Sequence, residues 1–419
     1  MCAVVMAVQV HRLSHIAFHV RDSERLARDL SRRFRFQLCG ARVTKGAKQL
    51  ALRRGSAVFL VNESRFGECS VPGGLLYDVV PGAQAVDSAC NISFEVKDVE
   101  RATLRLDRLG CQVVVPPRPV ENELGWVTYS VVRSVVGNIS HTLIDRSGYR
   151  GEFLPGFVPP PCPGDGAEER EVARGPVAIS HFDHITYACP RRQSAHIMDW
   201  YRRCFGFQRF LVNRSEDLND GYVIEGDNIG LRLTAMEYWK CSEIGMSMPK
   251  IEEKKLDCKF VIAEPLANQG KNQIDTFLEQ HNGAGIQHVG LYTTDIVSTC
   301  KFLADAGVEF FCPPSAYYTE TEKWQEIMKA GQDPELLAQY NILLDSDVDD
   351  EHCKGEAKCQ GPANKRYLMQ TFTKPIFSEE TFFLELIERK GASGFGEGNI
   401  RALWKSVQIC IDQQEDKKL

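Results

Sequence analysis

The stretch ISHFDHITYACP, residues 179–190, places a histidine in the middle of a run that alternates like a β-strand. Alternation assigns Phe182, His184 and Thr186 to one face of that strand and Asp183 to the other. A single histidine in a strand is usually a partly buried core residue with a hydrogen-bond partner. His184 therefore predicts a ligand only if other donor side chains reach the same point.

Internal repeats supply the other donors. The repeated unit begins with a strand that leads into a helix, and several further strands follow. Three pairs of segments correspond: 15–37 with 184–208, 91–117 with 287–314, and 141–146 with 384–389. The chain therefore contains four copies of one module, two in each half.

The equivalent strand positions carry different side chains in the two halves. The C-terminal half has two imidazoles and a carboxylate, His184, His288 and Glu385. The N-terminal half has one imidazole and two weak ligands at the matching positions, His15, Asn91 and Thr142. This comparison predicts a metal site in the C-terminal half and none in the N-terminal half.

Glu385 strengthens the prediction, because TFFLELIER points it to the same face as Phe383 and Ile387. A buried carboxylate without a partner costs several kcal/mol, so it normally has a cation or a proton beside it. A salt bridge to an arginine is the structural alternative. Two histidines and one carboxylate are also the facial triad of non-haem Fe(II) oxygenases, which leaves open positions for substrate and dioxygen. Zinc could use the same ligands but usually needs only one open position.

Length and composition fit two soluble globular domains. The chain has 419 residues, of which 43% are apolar and 25% charged, and its net charge of −6 argues against a nucleic-acid-binding surface. No apolar run reaches the roughly 18 residues needed to span a bilayer. The 15 cysteines are odd in number and contain no CxxC pair, which is typical of reduced thiols in an intracellular protein.

We predict an N-terminal domain over 1–155, a Pro- and Gly-rich linker over 156–178 and a C-terminal domain over 179–419. The fold class is α+β, with four βαβββ modules in two tandem open barrels. A metal site is expected only in the second domain.

Helix boundaries follow from single residues. Asp98 and Asp295 each stand where a short acceptor can cap a helix, and Gly110 and Gly307 stand where those helices should stop. An apolar strand ended by Pro-Pro is expected after each. In the third module, Ile197, Trp200, Tyr201, Cys204 and Phe205 form the apolar stripe of a helix lying on a sheet.

A charged segment at 345–361 offers a second candidate for metal binding. His352, Cys353 and Cys359 could bind zinc, although the segment is mostly charged and small and reads more simply as a solvated loop.

Several stretches of the C-terminal half carry a family resemblance. They are FDHIT (182–186), NGAGIQHVGL (282–291), LMQTFTKP (368–375), FFLELIER (382–389) and GFGEGN (394–399). Together with the modules they resemble the 4-hydroxyphenylpyruvate dioxygenase and 4-hydroxymandelate synthase family of the vicinal oxygen chelate superfamily. FLPGF (153–157) and GNIRALW (398–404) are most similar to its vertebrate dioxygenase-like members.

The resemblance implies one Fe(II) per chain in the C-terminal domain, bound by His184, His288 and Glu385, with no catalytic residue beyond these ligands. It also implies a substrate pocket, closed by the C-terminal helix RALWKSVQICID. The side chains implied around the substrate are Gln273, Gln287, Gln370, Phe372, Phe383, Phe395 and Asn399.

Three positions depart from the dioxygenase pattern. Leu233 stands where a serine is expected, Ala263 replaces an asparagine and Ile400 replaces a phenylalanine that packs on the substrate ring. All three positions are expected to line the pocket. The 4-hydroxymandelate synthases are similar to this chain in having a small aliphatic residue at the position of Ile400.

The resemblance implies an aryl α-keto acid and dioxygen as substrates. We expect 4-hydroxyphenylpyruvate to give 4-hydroxymandelate and carbon dioxide, feeding the coenzyme Q ring in mitochondria. One alternative is homogentisate formation in tyrosine breakdown, and another is an iron-binding protein that has lost catalysis. A cytoplasmic location is the alternative to mitochondria, because the N-terminal signal is weak. The oligomeric state stays open, a homo-oligomer included.

Overall fold

The structure is a computed structural model. It describes residues 7–64, 74–81, 86–159, 177–212, 216–217, 221–226, 229–238, 258–266, 271–346, 366–379, 381–392, 394–396, 398–400 and 402. The zinc candidates His352, Cys353 and Cys359 lie outside these ranges. So do most of the predicted linker and all of the predicted C-terminal helix except Ala402.

In its described ranges, the N-terminal half forms one mixed sheet with two helices against it. Its elements are β1 (Val10–His19), α1 (Ser23–Arg32), β2 (Gln37–Val43), β3 (Ala47–Arg54), β4 (Ala57–Ser64), β5 (Ser88–Val96), α2 (Val99–Arg108), β6 (Val113–Asn122), β7 (Gly125–Arg133) and β8 (Ser140–Asp145). The strand order is β2-β3-β4-β1-β5-β8-β7-β6.

The C-terminal half repeats this plan and adds helices in its last module. Its strands are β9 (Ile179–Ala188), β10 (Phe207–Phe210), β11 (Tyr222–Gly226), β12 (Ile229–Tyr238), β13 (Lys259–Pro265), β14 (Gly285–Thr293), β15 (Leu343–Ser346), β16 (Tyr367–Phe372) and β17 (Phe383–Lys390). Its helices are α3 (Ser194–Phe205), α4 (Gln273–Gln280), α5 (Ile296–Asp305), α6 (Ala316–Thr319), α7 (Thr321–Ala330) and α8 (Pro334–Gln339).

The strand order of the second sheet confirms the predicted duplication. It runs β10-β12-β13-β9-β14-β17-β16-β15, with β11 paired to β12. In both sheets the first strands of the two modules are neighbours at the centre, β1 beside β5 and β9 beside β14, and both pairs are antiparallel. The α+β class with four strand–helix–strand modules is therefore confirmed.

The predicted helix ends are also confirmed. Asp98 accepts a hydrogen bond from Arg101 N at 2.8 Å, and Asp295 accepts one from Ser298 N at 3.0 Å. Gly110 and Gly307 lie just beyond their helices with φ of 84° and 82°, a conformation that glycine adopts without steric cost. The predicted apolar stripe of the third module is the buried face of α3.

The predicted apolar strand ended by Pro-Pro is wrong in both copies, in a different way in each. In the first copy β6 continues through Pro116 and Pro117, because it is the edge strand of its sheet and shifts register there. In the second copy the segment before Pro313 forms only an isolated bridge, Phe310 to Thr373.

Three apolar clusters hold the fold together. One cluster fills the concave face of the first sheet and includes Tyr77 and Tyr129, and a second fills that of the other sheet and includes Leu233 and Phe395. The largest cluster joins the two halves on their helix-bearing sides. Phe59 meets Phe182 across this junction with ring centroids 5.1 Å apart.

The described part of the chain contains no helix that is long and apolar enough to cross a membrane.

Candidate metal centre and its cavity

Three adjacent central strands bring His184 and Glu385 into one row. In the pairing of β9 with β14, His184 lies opposite Gly290, and in the pairing of β14 with β17, Gly290 lies beside Glu385. His288 is two residues before Gly290 on the same strand, so it points to the same face. The sheet register therefore aims two imidazoles and a carboxylate at one point on the concave side.

The donor atoms of these three residues converge. His184 Nε2 lies 3.0 Å and His288 Nε2 lies 3.5 Å from Glu385 Oε2. The two imidazole rings are nearly perpendicular, with centroids 5.5 Å apart. One ligand atom from each residue lies within 4.8 Å of the others, and all three residues are buried. The distances suit side chains that share a single ion.

Gly290 makes this convergence possible. A Cβ at position 290 would lie 2.4 Å from His184 Cε1 and 2.5 Å from His184 Nδ1. Since atoms cannot approach that closely, any larger residue would push the ring out of the row. Because Gly290 has no side chain, His184 on β9 and Glu385 on β17 can meet across β14, the strand between them.

A β-bulge corrects the predicted faces of β9. Leu291 pairs with Phe182 and Gly290 pairs with His184, so Asp183 is an extra residue without a partner in the ladder. A bulge reverses the alternation beyond it. Phe182 consequently packs in the cluster between the halves, while His184 faces the cavity, and the prediction that both share a face is wrong.

The bulge also places Asp183 beside the ligand that it precedes. Asp183 Oδ1 lies 2.9 Å from His184 Nδ1, which donates the hydrogen bond. Arg389 donates two hydrogen bonds to the same carboxylate, each of 2.8 Å. Burial raises the pKa of Asp183, but Arg389 and His184 outweigh burial and hold it well below its usual range. An ionised Asp183 keeps the Nδ1 proton in place and leaves Nε2 free for a metal.

His288 and Glu385 are positioned by neighbours in the same way. Gln287 Oε1 lies 3.3 Å from His288 Nδ1, and the ring of Phe383 stacks on His288 with centroids 4.7 Å apart. Gln370 donates a hydrogen bond of 2.8 Å to Glu385 Oε1. Each ligand therefore has a partner that fixes its orientation and leaves one atom directed at the shared point.

The two histidines respond differently to this environment in the metal-free chain. Burial lowers the pKa of His184, but Glu385 and Asp183 outweigh it and raise the pKa to about 9. Burial and the neighbouring His184 lower the pKa of His288 well below its usual value. The pair of histidines thus holds one proton near neutral pH, in the position where a cation would bind.

The residues fit a divalent metal. The ion pairs of Glu385 among the described residues are with His184 and His288, so the predicted alternative of an arginine salt bridge is not what the structure has. Arg389, which lies near the site, is bound to Asp183. A buried carboxylate with two imidazole nitrogens is a suitable donor set for Fe(II) and for Zn²⁺.

A cavity opens at the three ligands, with about 450 Å³ of space when its mouth is counted. Among the residues predicted around the substrate, those that line it are Leu233, Gln370, Phe372, Phe395 and Ile400. The sequence interpretation missed three residues of the lining, Thr186, Val212 and Val261. Thr186 and Val261 are direct neighbours on β9 and β13, and the alternation of β9 was the available signal for Thr186.

The other predicted pocket residues lie behind the lining. Gln287 and Phe383 contact His288 as described, and Asn399 Nδ2 donates a hydrogen bond of 2.9 Å to Gln370. Ala263 is fully buried beside Leu233 on the neighbouring strand. Gln273 is the first residue of α4. Gln287, Phe383 and Asn399 thus act on the cavity through the lining residues that they contact.

The equivalent positions of the N-terminal half are also brought together, without a carboxylate. Asn91 Nδ2 donates to Thr142 Oγ1 at 2.9 Å. His15 is fully buried, and burial lowers its pKa to about 4. A single imidazole with an amide and a hydroxyl, and without a carboxylate, is a poor donor set for a divalent ion.

Comparison with known proteins shows the family to which the chain belongs. The model of the Glyoxalase/Bleomycin resistance protein/Dioxygenase superfamily matches residues 181–324. The 4-hydroxyphenylpyruvate dioxygenase-like protein of Homo sapiens is 44% identical over 407 residues, which cover 96% of this chain and 98% of the relative. The 4-hydroxyphenylpyruvate dioxygenase of Xenopus tropicalis is 30% identical over 336 residues, 78% of this chain and 73% of that protein.

A solved structure has the same fold along nearly the whole chain. A mutant of the 4-hydroxymandelate synthase from Streptomyces coelicolor superposes with a TM-score of 0.69 and 22% identity, covering 96% of this chain and 98% of its own.

Proposed function

The chain belongs to the family of 4-hydroxyphenylpyruvate dioxygenase-like proteins, and we propose that it is an Fe(II)-dependent dioxygenase that converts 4-hydroxyphenylpyruvate and dioxygen to 4-hydroxymandelate and carbon dioxide. The observation that carries the proposal is the convergence of His184, His288 and Glu385 on the wall of a cavity. Fe(II) bound by these residues would supply the oxidative decarboxylation of an α-keto acid by dioxygen.

The protein's own part is to hold the ligands and to keep one side of the site free. Asp183 and Gln287 each contact the Nδ1 of a ligand histidine, so both Nε2 atoms point inward. Gln370 engages one oxygen of Glu385 and leaves the other for the metal. Such partners preserve the orientation of ligands through a catalytic cycle.

The charge of the site suits an anionic substrate. Two neutral histidines and one carboxylate leave a divalent ion with one net positive charge. None of the described residues lining the cavity is a lysine or arginine. A bound metal would therefore supply the counter-charge for the carboxylate of the keto acid, since the described lining offers no cationic side chain.

The walls of the cavity support the choice of product. Most side chains of the described lining are apolar. The aliphatic ones are Leu233, Val212, Val261 and Ile400, and the aromatic ones are Phe395 and Phe372. Attack on the ring carbon leads to homogentisate, while attack on the benzylic carbon leads to 4-hydroxymandelate. Because Ile400 is smaller and less flat than phenylalanine, the substrate ring can settle at a different depth. We infer that this displacement presents the benzylic carbon.

A product assay tests the proposal. Full-length protein, purified without oxygen and loaded with Fe(II), is supplied with 4-hydroxyphenylpyruvate and ¹⁸O₂, and products are identified by chromatography and mass spectrometry. We expect 4-hydroxymandelate with one labelled oxygen at the benzylic carbon and the other in its carboxylate. The variant E385A should abolish both oxygen uptake and product, whereas H196A, which alters an exposed histidine on α3, should retain both.

The outcomes separate the alternatives. Homogentisate as the main product would keep the enzyme class and overturn the product. Full iron loading with no oxygen uptake on any aryl α-keto acid would overturn the enzyme and favour a ligand-binding role.

We further propose that the protein acts in mitochondria and that its product serves as a precursor of the coenzyme Q ring. The support is the chemistry of 4-hydroxymandelate, which keeps the para-hydroxylated ring intact. Fractionation of cells that express the full chain tests the location, and the passage of isotope from labelled 4-hydroxyphenylpyruvate into coenzyme Q tests the role. A cytosolic protein, or no transfer of label, would contradict the respective part.

A further inference from the structure

The N-terminal half contains a buried carboxylate that the proposed reaction does not use. Asp78 is 2% exposed, and its side chain is fully enclosed. It accepts hydrogen bonds from the side-chain amides of Asn62 at 2.7 Å and Asn91 at 2.8 Å, and from Val79 N at 2.8 Å. These donors are neutral, and none of the lysines and arginines in the described ranges forms an ion pair with Asp78. Burying such a charge is costly unless a cation accompanies it.

A buried imidazole nitrogen without a hydrogen-bond partner faces this carboxylate. His19 is 9% exposed, and its Nε2 lies 3.5 Å from Asp78 Oδ2 but makes no hydrogen bond. Two donors bound to one tetrahedral metal lie roughly 3.4 to 3.7 Å apart, given metal–ligand distances of about 2.0–2.3 Å. The separation of His19 and Asp78 is therefore that of two ligands of one ion.

A thiol completes the cluster through a second β-bulge. In the pairing of β1 with β5, Ala17 lies opposite Asn91 and Phe18 lies opposite Ala89, so Cys90 is the extra residue. The bulge lets Cys90 and Asn91 share a side of the strand. The ligand atoms of His19, Asp78 and Cys90 lie within 4.8 Å of one another, and all three residues are buried.

We propose that His19, Asp78 and Cys90 bind a second divalent transition metal, Zn²⁺, inside the N-terminal half. Imidazole nitrogen, carboxylate oxygen and thiolate sulfur are all ligands of zinc, and the thiolate disfavours Mg²⁺ and Ca²⁺. On binding, the Cys90 thiol loses its proton to solvent and its sulfur forms the bond to zinc. The fourth position is open to a water molecule.

Charge distinguishes this cluster from the iron site. Zn²⁺ with a neutral His19, an ionised Asp78 and a thiolate at Cys90 sums to zero, which is the least costly state for a buried ion. The triad of the C-terminal half leaves one positive charge and opens onto a cavity. We therefore assign a structural role to the N-terminal metal: it fixes the ends of β1 and β5 to the segment that carries Asp78.

The proposed zinc site uses other residues than the N-terminal positions that the comparison of the repeats predicts to lack a metal. His15, Asn91 and Thr142 occupy the positions of the iron ligands, and they remain poor ligands. Cys90 instead occupies the position of Gln287, the extra residue of the equivalent bulge in β14, where Ile286 pairs with Tyr187 and His288 pairs with Thr186. The proposal rests on these contacts and is independent of the proposed reaction.

Cobalt substitution tests the proposal, because only a thiolate ligand gives the intense near-ultraviolet charge-transfer band of cobalt–sulfur bonds. Full-length metal-free protein is titrated with Co²⁺, and the zinc content is measured separately by mass spectrometry after dialysis against Zn²⁺. The iron triad contains no sulfur. We expect the band to appear, and the variant E385A to keep it together with one zinc per chain.

Three variants locate the metal. C90S should abolish the band, and H19Q should weaken Co²⁺ binding by about 10-fold or more. C39S, which alters another buried thiol of the same half, should leave the band unchanged. Using both C90S and H19Q keeps the test decisive if one of them fails to fold, as judged by circular dichroism. A folded protein that shows no band, or a band that persists in folded C90S, overturns the proposal.

Discussion

The imidazole of His184 lies against Gly290, in the space that any side chain at position 290 would fill. Strand pairing sets this relationship, since the two residues are direct partners across β9 and β14. A metal ligand and a glycine on the next strand thus form one structural unit, in which the glycine supplies the room and the histidine supplies the donor.

The variant G290A should lose metal binding. Its Cβ would lie 2.4 Å from His184 Cε1, so the ring must turn away from Glu385. We expect Fe(II) or Co²⁺ affinity to fall by about 10- to 100-fold and stability to fall by about 1–3 kcal/mol from overpacking. Isothermal titration and urea denaturation measure these effects. G394A, whose Cβ would meet its nearest atom at 4.0 Å, is the control and should behave like the wild type.

The variant D183N should weaken the metal centre although Asp183 does not contact the metal. The amide cannot supply the negative charge that orients His184 and neutralises Arg389. We expect metal affinity to fall by about 10- to 100-fold. Leaving the buried Arg389 without its counter-charge should lower the free energy of unfolding by about 3–5 kcal/mol.

An aspartate in exposed ion pairs provides the control for D183N. Asp199 pairs with Arg202 and Arg203 on the surface of α3, so D199N should change stability by less than about 0.5 kcal/mol. Wild-type metal affinity in folded D183N would contradict the orienting role of Asp183.

The variant I400F should move the product distribution from 4-hydroxymandelate toward homogentisate. A phenylalanine at this position narrows the cavity next to Phe395 and pushes the substrate ring toward the reacting position at the metal. The ratio of the two products, measured under single-turnover conditions, checks this outcome. I400L, which keeps an aliphatic side chain, should leave the ratio unchanged. An equal product ratio in wild type and I400F would contradict the proposal that the side chain at position 400 sets the position of the substrate ring.

Fe(II) binding at His184, His288 and Glu385 should release about one proton per chain at pH 7.5. Burial lowers the pKa of His184 in the metal-free protein, but Glu385 and Asp183 raise it to about 9, and a metal accepts only the neutral ring. His288 is already neutral there, because burial and His184 lower its pKa. Calorimetric titration in two buffers of different ionisation enthalpy counts the protons. E385Q, which lacks the main carboxylate beside His184, should release fewer protons.

The raised pKa of His184 also predicts how the stability of the metal-free protein depends on pH. Because the pKa of His184 is raised from 6.5 to about 9, its contribution to stability is fully present below pH 6.5 and is lost as the pH rises through about 9. The contribution is on the order of 3 kcal/mol. Thermal unfolding after chelator treatment should therefore give a Tm that falls between pH 7 and 9.5. A flat profile would show that the carboxylates do not hold this proton.

The three candidate metal ligands could be predicted from the sequence, because the repeated modules allow a position-by-position comparison. Each half serves as a reference for the other: His184 keeps an imidazole at its counterpart His15, whereas His288 and Glu385 are stronger ligands than their counterparts Asn91 and Thr142. The helix caps at Asp98 and Asp295 were equally accessible, since a cap depends only on residues three positions apart. These features are local, or are repeated in the sequence itself.

The β-bulges were not accessible to pattern analysis. Alternation assumes an unbroken period of two, and the extra residue at Asp183 reverses it without a distinctive residue to mark the place. The role of Asp183 was missed for the same reason, although an acidic residue directly before a ligand histidine was a usable signal. Arg389 had no signal, because its partner lies on a strand about 200 positions earlier in the chain.

The apolar cluster shared by the two halves limits how the protein can change in evolution. Phe59 and Phe182 meet in that cluster, so neither half has a complete interior of its own. Deleting the first 155 residues would strip one side of the second half and leave an insoluble fragment instead of a smaller oxygenase. The N-terminal half lacks an equivalent of the His184–His288–Glu385 donor set, yet it must persist because the C-terminal half needs its apolar side chains for a closed interior.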